Sequence, residues 1–512
     1  MILFSMNRKK LLITIIVITA AITISMIVLN NQINLKKLSI EQNKWNSILS
    51  SRTENNNLKL ESIKFNDYSL LIDENNSSLY YSVVGNMSNK YDPDVTFIAS
   101  DENVKIAVLN DEITDEKIAN NYQFKIVIYN DSEYRLYSLV CTNLPMLNIE
   151  YNTEISREKN IPIDVYLFNN LNNSVNRVAK SSGRLNILED ENDKKDYTFS
   201  LLQKSLGRNE RENNISILNM NKHNEYILNS MNSDDEKIRN VFSTNLWNET
   251  TEERYDSYNY VELFINGEYV GLYSLGYNIE REKMRLGRDE FMFLKSKFSD
   301  SESTMKENIK PEGYILYNHD IDKIKRNDET KEIDEWAELY NYYEVINGND
   351  VTKIKEVCDI DNSIKIYLFY MLIQASDNVN EETFSNTYLL FKNLDQSYFV
   401  RYFPWNLNNT FNDDASNNEY IMKYNPINRL IELNDEETIE KIKEIYFSLR
   451  NSCWSEDNIN NMLNSYENKL FKSGAFLRDS NKWNDSKLND LSEFKEYVTQ
   501  RLKYMDEYIN NL

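Results

Sequence analysis

Cysteine is nearly missing from this chain: Cys141, Cys358 and Cys453 are the only three in 512 residues. They are far apart and show no CxxC spacing, which excludes a disulfide framework and a zinc site and leaves buried free thiols as the expectation. Histidine occurs only as His223 and His319. That excludes a histidine-rich metal centre, and neither residue sits in a nucleophile motif that would make a Ser-His-Asp triad. Positive charge is also short, with 58 basic against 81 acidic residues and a formal charge of −23. Such a surface repels nucleic acid, so no nucleic-acid partner is expected. Glycine (10) and proline (6) are scarce while asparagine and isoleucine are abundant, a bias that follows genome composition as much as physics. Against these absences stand an apolar content of 41%, 35 tyrosines and 21 phenylalanines, far too rich for disorder. A chain of this length supports two or three domains with substantial cores.

One long hydrophobic run is present. Leu11–Leu29 holds 19 residues without a charge, directly after Arg8-Lys9-Lys10. That length can span a bilayer as a helix, and the basic cluster keeps its own side in the cytoplasm. The expectation is an uncleaved signal anchor over residues 1–33: a single-pass cell-membrane protein, N-terminus cytoplasmic, the bulk of the chain extracytoplasmic. A cleaved signal peptide is the alternative, although the run is long for one and no clear small-x-small site follows. Residues 34–66 then read as a polar stalk, partly helical, with Trp45 and Ile48 on one side.

Between Tyr68 and Tyr151 apolar residues recur with period two. Short runs at Tyr68–Asp73, Leu79–Val84, Val95–Ala99, Val104–Leu109, Phe124–Tyr129 and Tyr134–Val140 are separated by turn clusters. This spacing predicts a small β-sandwich over 67–155, with a spacer or adhesion role. A second unit, 160–512, opens with strands at Ile163–Phe168 and Tyr197–Leu202. Ser233 and Glu236 have capping-box spacing before a helix carrying Ile238, Val241, Phe242 and Leu246. In YVELFINGEYVGLYSL (Tyr260–Leu275) two alternating runs flank Asn266-Gly267, which demands a type I′ hairpin because both central residues need positive φ. A further strand is expected at Glu290–Lys295 and a mobile polar loop at Lys297–Lys310. Helices follow: one capped by Asp361 over Ile364–Ala375, then Glu437–Leu449, Glu456–Phe471 and Leu491–Ile509. The fold class is therefore α+β: a strand-rich lobe, then a helical lobe, preceded by the β-sandwich and one N-terminal transmembrane helix.

FPWNLNNTF (Phe403–Phe411) is the second informative string. With the hairpin it resembles the CotH family of spore-coat, kinase-like proteins, whose members show NGxYxGxYxLxE and a later PWDxD segment. Further landmarks fall in order. Lys194-Lys195-Asp196-Tyr197 is similar to the family's KKSY; Asp235 with Arg239-Asn240 matches its helix start. Asp377 followed by Asn386-Thr-Tyr-Leu-Leu-Phe391 matches its Asp and Asn-aromatic strand, and Asn425–Leu430 and Arg501–Ile509 resemble its closing helices.

The resemblance implies a bilobal, kinase-like domain and, in the family's active members, phosphate transfer from ATP. Such transfer needs a cation on the phosphates, carboxylates on Mg²⁺ and an Asp to accept the substrate proton. On that footing Lys194 or Lys195 is the phosphate cation, Asp377 the catalytic base, Trp405 a nucleotide contact, and Asn386, Asn406 and Asn408 the metal positions; the cofactors would be ATP with Mg or Mn. Each has a plainer reading. Lys194 and Lys195 can be a solvated strand entry, Asp377 a helix end, Trp405 core packing, and Asn386 a partner for backbone groups at a strand start. The departures are several. Tyr277 stands where the hairpin's Glu belongs, Asn406 and Asn408 where the two Asp belong, and the family's Arg-Gly-x-Ser element has no counterpart near Leu188-Glu189-Asp190. Neutral amides are poor Mg²⁺ ligands. Asp413-Asp414 lie close by but at the wrong position. The expectation is a degenerate member, a pseudokinase binding or scaffolding cell-surface or spore-coat proteins. The alternatives are an active kinase acting on secreted or coat proteins and an unrelated structural surface protein. An active kinase predicts that Asp377, Asn386, Asn406 and Lys195 meet in one cleft; a pseudokinase predicts the same cleft with too few carboxylates.

Overall fold

The computed structural model describes residues 33–512 apart from 84–91, 153–160, 180–181, 190–192, 204–210, 252–257, 278, 280, 282–283, 297–310, 312, 318–333, 381–382, 395–396, 412–420 and 422. The hydrophobic run Leu11–Leu29, the polar stretch Lys297–Lys310 and Asp413-Asp414 lie outside the described residues. Among the described residues no helix is long and apolar enough to cross a membrane. The fold is α+β, with strands concentrated before residue 320 and helices after it.

The six runs expected between Tyr68 and Val140 all fall in strands, distributed over two sheets. Asp94–Ala99 and Tyr68–Ser69 belong to a four-stranded sheet, and Lys105–Leu109, Gln123–Tyr129, Glu133–Thr142, Ser78–Ser82 and Leu71–Asp73 to a seven-stranded one. Residues 34–66, read as a stalk, are built into this unit. Leu60–Phe65 pairs with Asp94–Ala99. The helix Gln42–Ser50 lays Trp45 and Ile48 on Ala107 and Val127. A two-residue apolar stripe on a short helix needs a surface to cover, and here it covers the outer face of the sheet.

Met146–Glu150 falls within the 67–155 span expected as a β-sandwich but does not join its sheets. It instead pairs in parallel with Asn259–Ile265 and antiparallel with Asp164–Asn169, in a nine-stranded sheet. The Asn-Gly hairpin lies in the same sheet, with Asn266 at φ 52° and Gly267 at φ 81°. Its tip is docked on the preceding unit. A Cβ on Gly267 would stand 3.2 Å from the Ile72 carbonyl. Tyr151 N–H donates to Asn266 Oδ1 (2.8 Å), Gly267 N–H to Asn148 Oδ1 (3.1 Å) and Tyr269 N–H to Asp73 Oδ2 (3.2 Å). Tyr80 stacks on Tyr269 and meets Phe264 edge-on, so one apolar core runs across the joint.

The helical half is organised on a four-stranded sheet in the order Tyr314–Tyr317, Phe291–Lys295, Thr387–Leu394, Ser397–Pro404. The buried helix Ile360–Ile373 packs on it and is capped by Asp359, two residues before the expected Asp361. Glu436–Arg450, Glu456–Phe471, Ala475–Trp483 and Ser492–Asn511 complete this half. Cys141 and Cys358 are buried, Cys453 is half-buried, and all three are free thiols.

The capping box expected at Ser233 and Glu236 does not form. Met231 and Lys237 both take positive φ, which carries the chain through a tight loop, and the helix begins at Arg239. Asp234, one residue along, accepts the Arg239 N–H at 2.7 Å from outside the helix. Burial pushes the Asp234 carboxyl up to about 6, against the opposing pull of the Arg239 guanidinium. A carboxyl raised in the folded state stabilises it below the unfolded pKa and loses that contribution as pH rises through about 6, so stability should fall by about 2 kcal/mol between pH 4 and pH 7. Asp234→Asn keeps an acceptor for Arg239 and should flatten this slope in urea unfolding; an unchanged slope would show that Asp234 does not titrate there.

Candidate site at the meeting of the two halves

Asp377 is positioned by the end of the helix Ile360–Ile373. Gln374 terminates that helix in the left-handed conformation at φ 48°. Its side-chain oxygen accepts the Tyr497 hydroxyl. Arg501, fully buried, donates twice to the Met371 carbonyl (3.1 and 2.6 Å), which also accepts the Gln374 N–H at 3.3 Å. Burial brings Arg501 down to about 10. Asn378 then stitches the neighbouring segments together. Its amide donates to the carbonyls of Asn386 (3.0 Å) and Trp405 (2.9 Å), and Trp405 N–H donates to the Asn386 carbonyl (2.8 Å).

The loop after Pro404 is held from the helix Arg239–Thr250. Arg239 donates to the carbonyls of Thr410 (2.7 Å) and Phe411, Asn240 accepts the Leu407 N–H (3.1 Å), and Ser243 bonds Thr410 (2.9 Å). Asn386 (φ 45°) and Asn406 (φ 51°) both sit in the left-handed region, which Asn tolerates better than other side chains. The loop brings Asn409 onto the Asp377 carboxylate and Asn406 and Asn408 onto each other. Asp377, Asn386 and Asn409 are therefore in contact, and Asn406 and Asn408 lie in the same loop as Asn409, just after Trp405.

The amides at this place have fixed polarity. Met231 N–H can only donate, and it does so to Asn229 Oδ1 at 2.7 Å. Asn229 therefore turns its NH₂ to Asn408 Oδ1 (2.9 Å), and Asn408 turns its NH₂ to Asn406 Oδ1 (2.6 Å). The relay leaves Asn406, the exposed member, presenting an NH₂ to its surroundings.

The lysines stand differently. Lys194 is fully buried, and its ammonium donates to the carbonyls of Ser230 (2.7 Å) and Leu272 (2.8 Å) and to Asp479 Oδ2 (2.9 Å). All three of its protons are used. Burial lowers its pKa, with Asp479 opposing. Lys195 is half-buried, and its carbonyl accepts the Tyr273 hydroxyl at 2.9 Å. Tyr277, at the position of the hairpin Glu, stacks on His223 with ring centroids 4.4 Å apart.

These residues do not fit a magnesium nucleotide. Among the described residues no three His, Cys, Asp or Glu side chains stand close enough to hold a metal. The oxygens of Asn406 and Asn408 already accept amide protons, and Mg²⁺ prefers charged oxygens to neutral ones. Asn229, Asn409, Asp479 and Arg501 take part without having been singled out for it. Asn409 and Arg501 lay within landmark segments, and nothing local marks Asp479.

No curated protein matches the chain. The model of the family described as CotH kinase protein matches residues 183–510, more than half of the chain, and takes in every residue of the site just described. The chain is a member of the CotH kinase family.

Proposed function

We propose that this chain is a membrane-anchored, extracytoplasmic pseudokinase that binds or scaffolds proteins at the cell surface or in the spore coat. The observation that carries this reading is the amide relay from Met231 to Asn406. It puts an N–H donor where a metal-binding carboxylate would stand in an active member. The closure of Lys194 on Asp479 and two carbonyls supports it further, because no proton is left for a phosphate. The anchor rests on the uncharged run Leu11–Leu29 behind Arg8-Lys9-Lys10, and the coat assignment rests on the family.

A second reading, an active kinase with Asp377 as base, is favoured by the contacts of Asn386 and Asn409 with Asp377. A transfer assay separates the two. The full chain with Mg-ATP or Mn-ATP should place no labelled phosphate on itself or on a generic protein acceptor. Transfer that disappears in Asp377→Asn would establish the second reading instead. Alkaline extraction should leave the chain in the membrane fraction; release into the supernatant would remove the anchor.

A further inference from the structure

The pattern of hydrogen-bonding capacity left open at this site bears on what it takes. Asp377 Oδ2 is occupied by Asn409, and Asn386 Nδ2 leans on the Asp377 carbonyl at 3.4 Å. Among the described residues Asp377 Oδ1 and Asn386 Oδ1 remain as acceptors, and the Asn406 NH₂ remains as a donor. Trp405 is next to Asn406 in the chain, its backbone bonded to Asn386 and Asn378; its half-buried indole meets Tyr388 edge-on at 6.0 Å.

A phosphate offers only acceptors and would face two oxygens, with the Lys194 ammonium already committed to Asp479 and two carbonyls. A metal ion accepts only lone pairs and would face the Asn406 N–H groups. A sugar hydroxyl both donates and accepts, and the C–H face of a sugar ring packs on an indole. We propose that the Asp377–Asn386–Trp405–Asn406 site binds a neutral glycan: vicinal hydroxyls would bridge Asp377, Asn386 and Asn406, and a ring would lie on Trp405. This rests on the reading that the site no longer takes a nucleotide. A neutral ligand also suits a chain of charge −23, which gains nothing from electrostatic attraction to an anionic partner.

The probes are cellohexaose, maltohexaose and chitohexaose, titrated calorimetrically into the full chain and followed by saturation-transfer NMR. At least one should bind. Trp405→Ala should weaken it ~10-fold or more, and Asn406→Asp, which exchanges the donor for an acceptor while keeping an oxygen for Asn408, should do the same. The unfolding temperature of Asn406→Asp should stay close to that of the parent, separating lost binding from lost fold. No binding of any of the three at about 5 mM, where Kd values weaker than millimolar would still register, overturns the inference. So does binding that both variants leave unchanged. Mg-ATP titrated in parallel tells the two failures apart. If sugars and Mg-ATP are both silent, the glycan inference falls and the pseudokinase reading stands; if sugars are silent and Mg-ATP binds, both fall.

Discussion

Asp479→Ala should destabilise the chain by about 4 kcal/mol, because it strips the partner from a fully buried ammonium. Lys194 and Asp479 are each 1% exposed, and Asp479 Oδ1 also accepts the Leu272 N–H at 2.8 Å. The variant therefore leaves a charge and a backbone donor without partners in the interior. The lysine predicts a pH signature as well. Its folded pKa is already lowered by burial, and loss of Asp479 lowers it further. A cation depressed in the folded state costs stability while it is charged, and that cost is relieved as pH rises toward the unfolded value. The variant should thus gain stability on going from pH 7 to pH 10, more steeply than the parent. Removing both charges with Lys194→Met and Asp479→Leu should recover most of the loss, since a buried ion pair is often replaceable by apolar side chains. Urea midpoints of the three proteins decide it. A loss below about 1 kcal/mol, the range of exposed pairs, would mean that the pair is solvated.

Gly271→Ala should cost about 3 kcal/mol through the same locus. Gly271 lies in the hairpin at φ 149°, and a Cβ there would come within 2.5 Å of Asp479 Oδ1, 3.0 Å of Trp483 Nε1 and 3.3 Å of Lys194 Cε. The glycine in the family's hairpin pattern thus makes room for the helix Ala475–Trp483 to reach the sheet. Neighbouring contacts fix that helix. Arg478 forms a two-point pair with Glu262 (2.8 and 2.9 Å), and Trp483 donates to the Val270 carbonyl (3.0 Å). Alanine can only fit by pushing Asp479 away from Lys194. In an Asp479→Ala background the same substitution should therefore cost ~1 kcal/mol less or better, a coupling expected of residues in contact. Strict additivity of the two losses would show that Gly271 acts through its backbone conformation alone.

The hairpin was legible because its determinants are local: two adjacent residues that tolerate positive φ and an alternation that the pleat requires. The site was legible through ordered landmarks, and the loop after Pro404 gathers them. Asp479 was not, because its partner lies 285 residues away and a lone Asp on an amphipathic helix carries no local mark. The same holds for Arg501, which reaches a carbonyl 130 residues distant. The strand Met146–Glu150, which no run singled out, joins the sheet of the Asn-Gly hairpin, since pairing partners come from long-range packing and not from periodicity. The capping box at Ser233 set the helix start several residues early, because the left-handed turn at Lys237 defers the first helical residue to Arg239. The polarity of Asn406 needed coordinates altogether. Asn in place of Asp could be seen, but the end of the amide that faces outward is dictated by the Met231 N–H, through two intervening side chains.

Calorimetric titration of Mg-ATP and Mn-ATP into the full chain tests the loss of the nucleotide site most directly. With Lys194 committed to Asp479 and the Asn406 position turned to donate, no saturable heat should appear at about millimolar nucleotide, a Kd weaker than about −4 kcal/mol of binding. Saturable binding that weakens in Asp377→Ala or Asn406→Ala would contradict this and place a working nucleotide site in the cleft.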